Sequence, residues 1–153
     1  MAPSGDMPDA RSQRQSFSLA NIVPQAPRLN RGVWEGIESA VRDLAVRDGA
    51  LFVVTGPLFE GANLQALKGR VLIPTSTFKA VDDPSQGWAG AYVCTNTDAP
   101  ACRTVSIDQL RQISGVDVFP ALPQSIKAAG APLPEPLMRG SARRRARAHR
   151  GGS

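Results

Sequence analysis

The chain has little of what most often announces chemistry. Two cysteines and one histidine stand in 153 residues, too few for a zinc site, which takes three or four such ligands. No apolar run approaches the ~20 residues that a membrane-spanning helix needs. No signal peptide is visible at Met1, an absence that excludes nothing if sequence upstream has been lost. Gly56, Gly61 and Gly69 have neither the P-loop nor the dinucleotide-binding spacing. Acidic residues are missing from one region altogether: none follows Met138, whereas six arginines do (139, 143, 144, 145, 147 and 150). The net charge of +5 therefore belongs to the tail, because the rest holds 12 basic against 13 acidic residues. RRRARAHR attracts polyanions by counterion release, or it is a solubilising end with no partner. His149, the one histidine, lies within it and reads as a solvated bystander.

What the chain does have is organised around residues 16–47: an extended apolar segment, a loop punctuated by Pro24 and Pro27, then an amphipathic helix from about Asn30 to Arg47. At about 100° per residue, Val33, Trp34, Ile37, Val41, Leu44 and Ala45 share one arc, which faces a core. Glu38 and Arg42 follow each other at the edge of that arc, and Asn30 stands where the helix begins, on the same side. Each has an ordinary structural reading. Asn30 suits an N-cap. Glu38 and Arg42 suit an i,i+4 surface pair worth roughly 0.3 kcal/mol. Asn21 suits a turn at a strand end.

Their order together carries more. NIVPQ, LNRGVWEGIE and VR, with Asn21, Asn30, Glu38 and Arg42 at this spacing, resemble the DNA/RNA non-specific endonuclease family, the ββα-metal (His-Me finger) nucleases that include endonuclease G. The resemblance continues through LFVVTGPLFEG (51–61), GRVLIPTSTFKAV (69–81) and VSIDQLRQISGVDVFPALP (105–123), and spans about residues 1–128. It implies that Asn30 is the one direct protein ligand of a largely hydrated Mg²⁺, with Mn²⁺ as an alternative, which suits a hard cation. It implies that Glu38 holds a metal-bound water, that Arg42 neutralises the phosphate under attack, and that Asn21 orders the site. The implied substrates are DNA and RNA, cleaved with little sequence preference because the chemistry touches the backbone. A homodimer, an inhibitor protein, and secretion or a periplasmic location follow from the resemblance as open expectations.

In that family the motif Asp-Arg-Gly-His precedes a stretch like MAPSGDMP, which here forms residues 1–8. The general-base histidine would fall immediately before Met1, so the expectation is a chain shortened at its amino end and impaired in activity. Asp6 and Asp9 are poor substitutes, because an exposed carboxylate with a pKa of about 4 is a weak base at neutral pH. The competing expectation is a non-catalytic remnant that binds nucleic acid or another protein.

Composition, 42% hydrophobic and 20% charged, fits one soluble domain with a core. In order, residues 1–15 read as loop, 16–23 as an extended segment, and Gly49 as the helix stop. Residues 50–55 read as a strand covered on both faces, Gly56-Pro57 as a turn, and 58–68 as loop with a helical turn at 64–67. Strands follow over 70–81, interrupted at Pro74, and over 88–95. Ser106 caps a helix over 107–113, and 119–122 closes the body. The fold class is α+β, a mainly antiparallel sheet packed on the long helix. Domain bounds are 1–128 for the larger, C-terminal part of the nuclease fold and 129–153 for a linker and Arg-rich tail. Cys94 and Cys102, with seven residues between them, fit either a disulfide or two thiols.

Overall fold

A computed structural model describes residues 8–16 and 22–136. Its centre is a hairpin of two apolar strands, β4 (Ser76–Asp83) and β5 (Trp88–Thr95), in register from Asp83↔Trp88 to Ser76↔Thr95. The turn between them is built by one side chain. Asp83 Oδ1 accepts hydrogen bonds from Ser85 N at 3.0 Å, Ser85 Oγ at 2.7 Å and Gln86 N at 3.1 Å. Gly87 closes the turn at φ 69, a conformation that only glycine adopts freely. β1 (Phe52–Leu58) pairs antiparallel with β4, and β6 (Cys102–Val105) with β5, giving the order β1-β4-β5-β6. The expected α+β class with a mainly antiparallel sheet is observed.

Alternation along the strands feeds two cores. Phe78, Ala80, Ala89, Ala91 and Val93 turn to one face. There they meet Ile107 and Leu110 of α3 (Ile107–Ser114), whose Ser106–Gln109 capping box is fully formed, and Ile126 of α4 (Gln124–Ala128). Val81, Tyr92 and Cys94 turn to the other face, against the long helix. That helix starts with a π turn, Leu29–Val33, and continues as α2 (Trp34–Asp48) to Gly49. Leu29, Val33, Trp34, Ile37, Val41 and Leu44 are buried as the periodicity requires. Among the described residues no helix is long and apolar enough to cross a membrane.

Several elements depart from the sequence expectation. Ala10–Ser16 forms a short helix, α1, where a loop was expected; Asp9 Oδ1 accepts from Arg11 N and Ser12 N, both at 2.8 Å, and caps it. Gly56-Pro57 is no turn but lies inside β1, an edge strand, where a residue without N–H is tolerated. Nor is β1 covered on both faces: Phe52 and Val53 are 62% and 42% exposed. The helical turn expected at 64–67 is a strand instead. β2 (Ala66–Leu67) and β3 (Val71–Leu72) make a small hairpin, so the expected strand over 70–81 is two strands parted at Pro74. β6 and α4 carry too little periodicity to be read. Cys94 and Cys102, adjacent on β5 and β6, form a disulfide.

Residues 130–136 are not detached. Leu133 packs against the long-helix core, and the Tyr92 hydroxyl donates to Pro134 O at 2.6 Å. Burial pushes the Tyr92 hydroxyl up to about 12. Gly90 makes room, since a Cβ there would lie 2.4 Å from Ala131 Cβ.

Asp82 is buried beside Asp83, and burial, then the Asp83 charge, holds its carboxyl above the usual range. An acid whose folded-state pKa is raised costs stability wherever it is ionised; the cost is complete above the folded pKa and gone below the unfolded one. Asp82→Asn is therefore expected to raise the melting temperature at pH 7 by about 1–2 °C. The gain should vanish below about pH 4. Melting curves of both proteins at pH 7 and pH 3.5 check this. A gain that persists in acid would mean that the charge is not its source.

Candidate active site

The site is built from the start of the long helix. Arg28 already has helical backbone (φ −72, ψ −32), and Asn30 N donates to Ala26 O at 3.0 Å. Asn30 thus lies within the helical segment, and the N-cap reading is corrected: Pro27 fits the first turn, where its missing N–H is no loss. At the next step the chain widens, and Trp34 N donates to Leu29 O, five residues back.

That single wide turn changes which residues line up. Asn30, Trp34, Glu38 and Arg42 are successive four-residue steps, each of which advances about 40° past a full α-helical turn. In an unbroken α-helix Asn30 and Glu38 would diverge by about 80°. A π turn advances about 80° per residue, so the step from Asn30 to Trp34 falls short of a full turn by about 40°. On these ideal angles Asn30 and Glu38 fall nearly in line on the helix, with Arg42 one turn further. Asn30 is exposed, Glu38 half-buried and Arg42 exposed. Asn30 and Glu38 are about 11 Å apart along the axis, more than one ion's direct coordination sphere spans, so water must lie between any ion they share.

Behind Glu38 stands a residue the sequence reading missed. Lys79 of β4 is only 3% exposed, and an ammonium is almost never buried without partners. Its Nζ donates to Thr55 Oγ1 at 3.1 Å, lies 3.9 Å from Glu38 Oε1, and sits 5.5 Å from the centre of the Trp34 ring. Thr55 and Lys79 are cross-strand partners on the face that α2 covers. The signal was available, since STFKAV is an apolar strand interrupted by one lysine.

Asn21 lies outside the described residues, as do His149 and the arginine tail. Among the described residues no group of three or more His, Cys, Asp or Glu is arranged to hold a metal. Oxygen from Asn30 and Glu38 is the donor set here. Both cysteines are in the disulfide, so no thiolate competes.

Comparison with known proteins gives a family. The model of the family described as DNA/RNA non-specific endonuclease matches residues 1–125. The chain is 30% identical over 146 residues to a protein named Nuclease from Nostoc sp., an alignment covering 84% of this chain and 52% of that one. It is 32% identical over 143 residues to Nuclease EXOG, mitochondrial, of Danio rerio (80% and 42%). To the protein named Nuclease from Serratia marcescens it is 28% identical over 122 residues (72% and 46%). The chain spans about half the length of these relatives.

Proposed function

The chain belongs to the DNA/RNA non-specific endonuclease family, and from that membership we propose that it forms the helix-bearing part of a Mg²⁺-dependent enzyme hydrolysing phosphodiester bonds in DNA and RNA without sequence preference. The observation that carries the reading is the π turn at Leu29–Val33, which on ideal helical angles brings the exposed Asn30 amide into line with the half-buried Glu38 carboxylate that the buried Lys79 ammonium backs.

The donor set fits a hard divalent cation: Asn30 offers an amide oxygen in the open, and Glu38 a carboxylate at the border of the core. Such an ion, Mg²⁺ or Mn²⁺, would supply Lewis-acid polarisation of the phosphate and charge for the leaving oxygen. Asn30 is the one direct ligand in this reading. Glu38 would hold such an ion through its hydration water, and Lys79 fixes the carboxylate's place and charge. Arg42, one turn on, binds the phosphate through a planar fork of donors and offsets the charge that develops there. Asn21 helps order the site in the same reading. None of these groups reads a base edge, so cleavage is indifferent to sequence. The proton from the attacking water goes to the histidine that the family carries just before the stretch matching Met1. The domain of this activity, expected to end near residue 128, takes in residues 130–136 as well, because Leu133 packs on the helix side of the sheet and Pro134 O accepts from the Tyr92 hydroxyl there; the Arg-rich tail beyond adds only charge.

The test takes the protein extended upstream of Met1 through Asp-Arg-Gly-His. Supercoiled plasmid and RNA should both be degraded with Mg²⁺ and neither with EDTA. Binding of both without cleavage would instead support a nucleic-acid-binding remnant. The tail has a separate signature: deletion after Met138 should flatten the dependence of binding on salt, as loss of phosphate contacts does, and leave turnover at saturating substrate within about twofold. A large fall in that turnover would place the tail in the reaction.

A further inference from the structure

We propose that Asn96, immediately after β5, is a positioning residue that sets the location of Asn30; the inference rests on Asn30 being the metal ligand. The Asn96 side chain makes three hydrogen bonds, all to backbone. Its Oδ1 accepts from Ala26 N at 2.7 Å, and its Nδ2 donates to Pro24 O at 3.0 Å and Pro74 O at 2.9 Å. Only this orientation of the amide satisfies all three, because an N–H must donate and two carbonyls must accept. Ala26 passes the constraint on directly, since its carbonyl accepts the N–H of Asn30 at 3.0 Å. One residue therefore connects the amide of Asn96 to the backbone of Asn30.

The segment needs an external anchor. Pro24 and Pro27 contribute no N–H, so Pro24-Gln25-Ala26-Pro27 has two donors in four residues and joins no strand. The carboxamide of Asn96 takes the place of a strand partner, giving and receiving as a peptide group would. Asn96 is itself firmly held. Its N–H donates to Thr75 O at 2.8 Å, and it opens the loop that the Cys94–Cys102 disulfide closes. Across the base of that loop Thr95 N donates to Ala101 O at 2.9 Å, and Ala101 N returns a bond to Thr95 Oγ1 at 2.9 Å. The first turn of the helix is thus tied to the rigid end of the central hairpin. A ligand that binds through one oxygen gains from such a tie, because the chelate that would otherwise locate the ion is absent.

Mn²⁺ titration of the intact chain, followed by the electron paramagnetic resonance of the free ion, separates positioning from stability when paired with melting curves. Asn96→Ala should weaken Mn²⁺ binding about tenfold, the scale on which loss of an outer-sphere partner acts. Asn96→Asp keeps an acceptor for Ala26 but sets a charge against two carbonyls. Its melting temperature should therefore fall, while its affinity stays within about threefold of the original. Ile126→Ala, which removes core on the opposite face, should lower melting and leave affinity alone. Asn96→Ala binding Mn²⁺ as the unaltered chain does, while Asn30→Ala loses it, would overturn the proposal and leave the reading of Asn30 standing. So would affinity that simply tracks melting across the three variants. Unchanged binding by Asn30→Ala, or no saturable binding by the unaltered chain, would overturn the reading of Asn30 and the proposal with it.

Discussion

Asn30→Ala in the upstream-extended protein is expected to reduce Mg²⁺-dependent cleavage of plasmid and RNA alike by about 10³-fold. Losing an outer-sphere partner of a metal costs about 10–100-fold in affinity or activity, and in the proposed reading Asn30 is the only direct protein ligand, so its loss should exceed that range. The fold should hardly notice. Asn30 is exposed, and substitutions of exposed residues usually stay within about 0.5 kcal/mol. Parallel losses on DNA and RNA matter as much as their size, because a group acting on the shared sugar-phosphate backbone cannot tell the two apart. Asn30→Asp keeps an oxygen donor and should retain a good part of the activity at raised Mn²⁺. Initial rates on both substrates, with melting curves alongside, check the whole pattern. Cleavage undiminished in Asn30→Ala, or lost only together with folding, would remove Asn30 from the role of ligand.

Asn30 could be singled out only because its motif resembles the family's, whereas the helix that carries it writes itself plainly: a six-residue apolar arc needs only a constant 100° step to be read. The same assumption of constancy hid the feature that aligns the site. A π turn leaves no periodic trace: the sequence reading puts Asn30 on the side of Glu38, although ideal α geometry sets the two about 80° apart and only the wide turn closes that gap. The N-cap reading of Asn30 failed for a related reason. Pro27 marks the first turn more strongly than an amide three residues later marks a cap. Lys79 was passed over because one cation in an apolar strand looks like an exposed edge position until the Thr55 and Glu38 partners are in view. Pro57 misled in the opposite direction, since Gly-Pro signals a turn by composition while an edge strand tolerates both residues. The Cys94–Cys102 pair could be seen but not decided. Adjacency depended on β6, whose four residues carry too little pattern to be recognised.

Ile37→Ala should be the most damaging single change to the fold on the site's side, lowering stability by about 3 kcal/mol. Ile37 is 0% exposed and packs among Leu29, Val33, Val41, Val81, Tyr92 and Cys94, joining the helix to the centre of the sheet. The helix has little strength of its own. Gly32 and Gly36 each cost about 1 kcal/mol relative to Ala, so tertiary packing must keep the segment wound. For a chain of this size, 3 kcal/mol is about 6–12 °C in melting temperature. Val46, on the same helix but 82% exposed, supplies the contrast: Val46→Ala should move melting by less than about 2 °C. Because Asn30, Glu38 and Arg42 all ride on this helix, Ile37→Ala should also cost activity below its own melting point. Asp117→Ala, which breaks the 2.8 Å bond to Lys127 on the far side of the sheet, should cost stability without that early loss. Thermal melts and cleavage rates measured 10 °C below each protein's midpoint distinguish the two. Equal residual activity in both would mean that the helix is not the element on which the site depends.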